Sequence, residues 1–207
     1  MHFVPAPISS APELIYQLGS IVARIALKNL FSTIRPLEIE LGSGDGSFLV
    51  QYAAAHPERN FVGIERLLGR LRKIDKKGRQ AGLNNLRVIR IESAYFLRYL
   101  LPAHTVAGLH IYFPDPWPKR KHRRHRLIND QFPELARQAL APGGLVYLRT
   151  DDSDYFDQMT RVFCASRGFQ KTETPAELAA IRTDFEEDFN RRGIVTLRAA
   201  YCSILSH

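Results

Sequence analysis

The chain reads as an α/β fold, a mostly parallel, doubly wound sheet closed by a C-terminal antiparallel strand pair. Three observations predict this. Short apolar runs alternate with helical patterns through most of the chain. The first run empties into a turn containing Gly42, Gly44 and Gly46, as in folds that bind a nucleoside at a strand end. The tail breaks the alternation, with two strand-like runs separated by a polar segment.

Taken in order, Ser10-Ala11-Pro12-Glu13 has the form of a helix start, with Ser as cap, Pro in the first turn and Glu reaching back. Leu14, Leu18, Ile21, Val22 and Ile25 follow at helical spacing, so residues 1–36 are expected to be an N-terminal helical extension. Strands are expected at 37–41, 61–64, 86–91, 106–113 and 145–148. Helices are expected at 47–56, 67–81, 93–101, 127–140 and 155–166. Residues 169–172 and 195–204 are expected to form the closing antiparallel pair. With no repeat and no linker, the chain is expected to be one domain, with 37–207 as its core.

Composition narrows the function classes. At 207 residues and 45% hydrophobic, the chain can bury a substantial core and is not disordered. A formal charge of +8 and a pI of about 9.7 favour a polyanionic partner. Two cysteines, Cys164 and Cys202, form no CxxC pair, which suits a reducing compartment. No metal-ligand spacing is visible, no apolar run is long enough to span a membrane, and MHFVPAPISS lacks the pattern of a signal peptide. The expected location is cytoplasmic, as a monomer or homodimer.

Residues 37–48 read LEIELGSGDGSF. Glycines let backbone approach a ligand closely. The spacing is GxGxG, with Glu40 two residues ahead of the first glycine. A carboxylate there repels a pyrophosphate and attracts an ammonium group, which favours S-adenosyl-L-methionine over a nucleotide phosphate. Glu65 ends the second strand, where an acid can take both ribose hydroxyls. Glu92 follows the third and can face the adenine edge. Glu38 reads as a solvated or paired charge.

Residues 111–126 read IYFPDPWPKRKHRRHR. Pro114 and Pro116 stiffen the backbone around Asp115 and so hold its carboxylate in place. Trp117 can stack on a base or brace the loop; both readings stay open. The cations from Lys119 to Arg126 can neutralise several phosphates. Arg149-Thr150-Asp151 closes the fifth strand, and Thr183-Asp184-Phe185-Glu186 precedes the last. A carboxylate can accept guanine N1–H and N2–H₂, so either Asp151 or Glu186 can read a guanine.

In this order LEIELGSGDG, VGIE, NLRVIRIES, FPDPWPKRKHRRHRL, RTD and TDFE resemble the tRNA (guanine-N7)-methyltransferase family. The resemblance runs from about Leu37 to about Gly193. It implies a Rossmann-like class I methyltransferase fold, S-adenosyl-L-methionine as cofactor, and methylation of the variable-loop guanosine of tRNA. By motif, Glu40, Glu65, Glu92 and Asp115 resemble the cofactor-contacting acids, and Asp115 also the catalytic residue. Lys119, Asp151 and the Thr183, Asp184, Phe185, Glu186 stretch resemble substrate contacts. Three departures stand out: Asp184 where the family often has Lys, Glu92-Ser93 where it often has Asp-Ala, and no basic arm in the first 36 residues. The rival readings are a methyltransferase of ribosomal RNA or of a small molecule, and a non-catalytic RNA-binding module.

Overall fold

The computed structural model describes residues 13–204. Strands β1 (Leu37–Leu41), β2 (Asn60–Ile64), β3 (Leu86–Ile89), β4 (Val106–Tyr112) and β5 (Leu140–Thr150) run parallel. Helices α1 (Ser47–Ala55), α2 (Leu68–Gln80), α3 (Ser93–Tyr95, continued by a π-helical turn Phe96–Leu100) and α4 (Phe132–Ala139) connect them. Then follow α5 (Ser153–Ala165), β6 (Phe169–Thr172), α6 (Ala176–Ala180), α7 (Asp184–Arg191) and β7 (Leu197–Ser203). The sheet order is β3-β2-β1-β4-β5-β7-β6, with β7 antiparallel to both neighbours. The expected doubly wound sheet with its closing antiparallel pair is thus observed.

β1 is buried along its whole length because helices cover both faces of the sheet. Leu37, Ile39 and Leu41 pack into one apolar layer with Phe96, Ile111 and Phe132. The other layer holds Phe48, Tyr52, Leu71, Ile74 and Tyr112. Glu38 and Glu40 point into this second layer by strand alternation.

Two expectations need correction. The first is the N-terminal helix. Its proposed cap, Ser10 to Pro12, lies outside the described residues. From Glu13 to Pro36 the chain forms no α-helix, only a 3₁₀ turn at Leu27–Asn29. The free edge of β3 takes the segment instead. Tyr16 N donates to Val88 O, and Val88 N donates to Leu14 O, both at 2.9 Å. An open edge offers a row of unpaired donors and acceptors, and pairing it outweighs a weak helical pattern. Ser20 then turns the chain by accepting from Val22 N and Ala23 N. Ile21 and Val22, members of that helical spacing, are exposed.

The second is α4, which begins at Phe132 and not near Leu127. Pro133 has no N–H to give and fits only the first helical turn. The preceding residues are drawn to α5, where Ile128 N donates to the Tyr155 hydroxyl at 2.9 Å.

Candidate active site

The strand order reverses between β1 and β4, and the carboxyl ends of the strands splay there. A groove of ≈ 270 Å³ occupies this point. Gly42, Glu65, Glu92, Asp115, Trp117 and His125 are among its lining residues. Four of the expected site residues therefore meet in one cleft, contributed by four separate strand ends.

The glycine turn has left-handed backbone at Gly42, Gly44 and Gly46 (φ 76°, 56° and 79°). At Gly46 a Cβ would also sit 2.9 Å from the Ile74 side chain, so this position is closed to other residues on two counts. Glu65 braces the turn: its Oε2 accepts from Gly44 N at 3.0 Å and its Oε1 from Leu67 N at 2.8 Å. Glu92 is exposed, and its two oxygens cap α3 by accepting from Ala94 N and Tyr95 N.

Glu40 is 4% exposed, and its Oε2 is buried without a hydrogen-bond partner. Burial pushes its carboxyl up to about 8, against the attraction of Arg149. A buried carboxylate oxygen with nothing bonded to it, beside a glycine turn, suits a cationic ligand group.

Asp115 sits exposed on the loop after β4. The two residues flanking Pro114-Asp115-Pro116 are non-glycines in the left-handed region, Phe113 (φ 48°) and Trp117 (φ 44°). Such backbone costs roughly 1–3 kcal/mol per residue and persists only where its surroundings hold it. Here the holder is Arg126, which is 2% exposed. Its Nε donates to Pro116 O at 2.7 Å, and its Nη groups donate to Gln158 at 2.8 Å and Asp154 at 2.6 Å. The guanidinium also lies 4.6 Å above the Tyr155 ring. Arg126 therefore does not belong with the phosphate-facing cations of the basic run; it is the internal anchor of the Asp115 loop. Arg123 pairs with Asp154 at 3.0 Å. Lys119, Arg120, Lys121 and Arg124 are exposed, and no described carboxylate lies within ion-pair distance of them. Trp117 packs against His125 at 5.3 Å between ring centroids.

The Thr183 to Glu186 stretch splits in two. Thr183 caps α7 by accepting from Glu186 N at 3.0 Å. Asp184 and Phe185 are exposed. Asp184 N donates to Ser47 Oγ at 3.1 Å, and Lys77 bridges Asp184 to Asp45 of the glycine turn. Glu186 is turned inward and 0% exposed. It pairs with Arg149 at 3.0 Å and with Arg198 at short range. Arg149 lies 4.2 Å above the Tyr112 ring and donates to the carbonyls of Ile181 and Leu178. As folded, Glu186 is committed to Arg149 and Arg198 and presents no free face to the groove. Asp151 is half-buried beyond the end of β5.

The sequence reading missed a buried column beneath the groove. Glu38 is 3% exposed, bonded to His110 Nε2 at 2.6 Å and to Arg59 at short range. Burial raises its carboxyl, but the bonds from His110 and Arg59 outweigh this and hold it below its usual range. His110 thus joins the Glu38 carboxylate through Nε2 to the Tyr112 hydroxyl through Nδ1, the latter at 2.8 Å. Gly108 makes room, since a Cβ there would stand 3.1 Å from the Glu38 carboxylate. Among the described residues no helix is long and apolar enough to cross a membrane, and no group of three metal-ligating side chains converges.

The strand order, the glycine turn and the groove at the β1/β4 reversal define a class I methyltransferase fold. A family model described as "Putative methyltransferase" matches residues 34–199. The tRNA (guanine-N(7)-)-methyltransferase of Chromohalobacter salexigens is 39% identical over 77% of this chain and 65% of its own length. That of Alkalilimnicola ehrlichii is 33% identical over 81% and 71%. The chain belongs to the tRNA (guanine-N7)-methyltransferase family, and it spans about 65% of the length of the first of these relatives. Solved structures agree on the fold. The 16S rRNA methyltransferase KamB superimposes with a TM-score of 0.61 at 18% identity, covering 86% of this chain and 93% of that one. TrmN from Thermus thermophilus gives 0.59 at 18%, covering 86% and 47%.

Proposed function

We propose that this protein transfers a methyl group from S-adenosyl-L-methionine to N7 of a guanosine in tRNA, the variable-loop guanosine that the family resemblance implies. The observation that carries the reading is the meeting of Glu65 and the Pro-bracketed Asp115 in one groove, with exposed cations starting two residues beyond Trp117. When bound, the cofactor supplies an electrophilic methyl on a sulfonium.

The unpartnered Oε2 of Glu40 would receive the amino-acid ammonium. Gly42, Gly44 and Gly46 let the backbone lie close to the ligand. Glu65 keeps its remaining lone pairs for the ribose hydroxyls while bracing the turn. Glu92 has its two oxygens on the α3 cap, which limits it to the edge of the adenine pocket.

Neutral guanine already carries a lone pair at N7, so no strong base is needed. The protein's task is alignment and charge stabilisation. Asp115, the catalytic residue of this reading, holds a negative charge where the purine becomes cationic. Its loop is fixed by Arg126, so little reorganisation is required. Lys119 would take a phosphate, and Asp151 is the carboxylate left to contact the base once Glu186 is committed to Arg149. Asp184 and Phe185 form the exposed substrate-side rim of α7. A tRNA-modifying enzyme of this kind works in the cytoplasm.

The test is incubation of unmodified tRNA and, in parallel, of ribosomal RNA with methyl-labelled S-adenosyl-L-methionine, followed by nucleoside mass spectrometry. Label in 7-methylguanosine is expected. Label confined to ribosomal RNA, as the name of KamB describes for that protein, would overturn the substrate assignment.

A further inference from the structure

The groove has a second basic rim. On the β2 side of β1 it is walled by Arg66, Leu67 and Arg70, at the start of α2. On the β4 side it is walled by Asp115, Trp117 and His125, where the basic run begins. Helix α2 reads LGRLRKIDKKGRQ. Leu71, Ile74 and Gly78 face the core. The opposite side carries Arg72, Lys73 and Lys76, all exposed, and Arg70, also exposed, lies on the flank beside the groove.

Two cations of α2 are already committed: Lys77 to Asp45 at 2.6 Å and Arg79 to Asp75 at 3.8 Å. No described carboxylate lies within ion-pair distance of Arg70, Arg72, Lys73 or Lys76. Arg70 and Lys73, Lys73 and Lys76, and Arg72 and Lys76 stand three or four residues apart along the helix, where like charges repel and weaken it. A polyanion bound along this outer face would relieve the repulsion among its uncompensated cations.

We infer that the outer face of α2 is a second phosphate-binding surface, which grips the tRNA body on the rim opposite the basic run. This rests on the tRNA reading above. The chemistry favours RNA over other acidic partners. A membrane-surface helix exposes apolar residues on the face it inserts, but Leu71 and Ile74 are both 0% exposed and lie inward. Protein interfaces are depleted in Lys and built around apolar centres, which this face lacks. A cluster of exposed cations with no apolar residue on the same face matches a sugar-phosphate backbone.

The test is the salt dependence of tRNA binding by the full chain. Three proteins are compared: wild type, Arg72→Gln/Lys73→Gln/Lys76→Gln, and Lys121→Gln/Arg124→Gln. Glutamine keeps helix propensity close to that of Lys and Arg, and thermal melting checks the fold. Each lost phosphate contact flattens the slope of log affinity against log salt by about 0.7–0.9, so the α2 triple variant should be shallower by about 2–3. Its binding of S-adenosylhomocysteine should stay unchanged. An α2 variant with wild-type affinity and slope, beside a wild type that binds and methylates tRNA, overturns this inference alone. A wild type that neither binds nor methylates tRNA overturns the functional reading instead. Binding to phosphatidylserine vesicles that falls with the α2 substitutions, while tRNA binding does not, makes the surface a membrane contact and also overturns the inference.

Discussion

Replacing Glu186 by Gln keeps the side-chain volume and removes one negative charge from inside the molecule. Two guanidiniums lose their counterion. Arg149 is 1% exposed and cannot turn to water, although it keeps the carbonyls of Leu178 and Ile181. Arg198 has a side chain 31% exposed and can relax outward. Breaking a buried pair costs roughly 3–5 kcal/mol, and the partial escape of Arg198 places this case near the lower end, at about 3 kcal/mol. For a chain of this size that lowers Tm by roughly 6–12 °C. Urea unfolding and thermal melting measure the loss, and tRNA binding at a temperature where the variant stays folded measures any change in contact. The structure demands lost stability with tRNA affinity changed less than twofold. Full stability with strongly weakened tRNA binding would show that Glu186 swings out to the substrate, and the argument from its burial would fail.

Other outcomes follow from the same geometry. Glu40 has a folded-state carboxyl raised to about 8 from 4.5, so the folded protein binds the extra proton and free-protein stability falls as pH rises across that window. An ammonium ligand needs the ionised form, so S-adenosylhomocysteine affinity should climb up to about tenfold per pH unit below 8, with about one proton released in calorimetry. Glu40→Gln should abolish that dependence. Arg126→Lys loses the fork that holds Pro116, Gln158 and Asp154 together and should cost roughly 1.5–3 kcal/mol. It should slow turnover while leaving the salt slope of tRNA binding as in wild type. Asp115→Ala should reduce single-turnover methyl transfer at least a hundredfold with little change in tRNA affinity; a near-wild-type rate removes Asp115 from the chemistry.

Much of this was legible in the chain itself. Parallel strands buried on both faces leave near-continuous apolar runs, so β1 to β5 could be read with boundaries a few residues off. The glycine turn and the Pro-Asp-Pro loop carry local constraints, and these too were readable. What escaped depends on partners distant in sequence. Leu14 has helical spacing with Leu18 and Ile21, but the unpaired edge of β3 captured the segment through Leu14 and Tyr16. Arg126 looked like one more cation until Pro116 and Asp154 closed around it. Glu186 looked like a surface acid until Arg149, in a strand 37 residues earlier, met it in the core. The Glu38–His110 pair spans 72 residues, and its signal was slight: a histidine and a glycine inside an otherwise apolar strand. Burial of charge is a property of the assembled layers, and no local pattern encodes it.

The central claim is that one groove at the strand tips holds the methyl donor against the Pro-bracketed acid. A crystal structure with S-adenosylhomocysteine bound tests it most directly. The account requires the ligand's ammonium within hydrogen-bond distance of Glu40 and its ribose beside Glu65, with the sulfur directed toward Asp115. A ligand seated anywhere else, or one that leaves Glu40 without a partner, contradicts it.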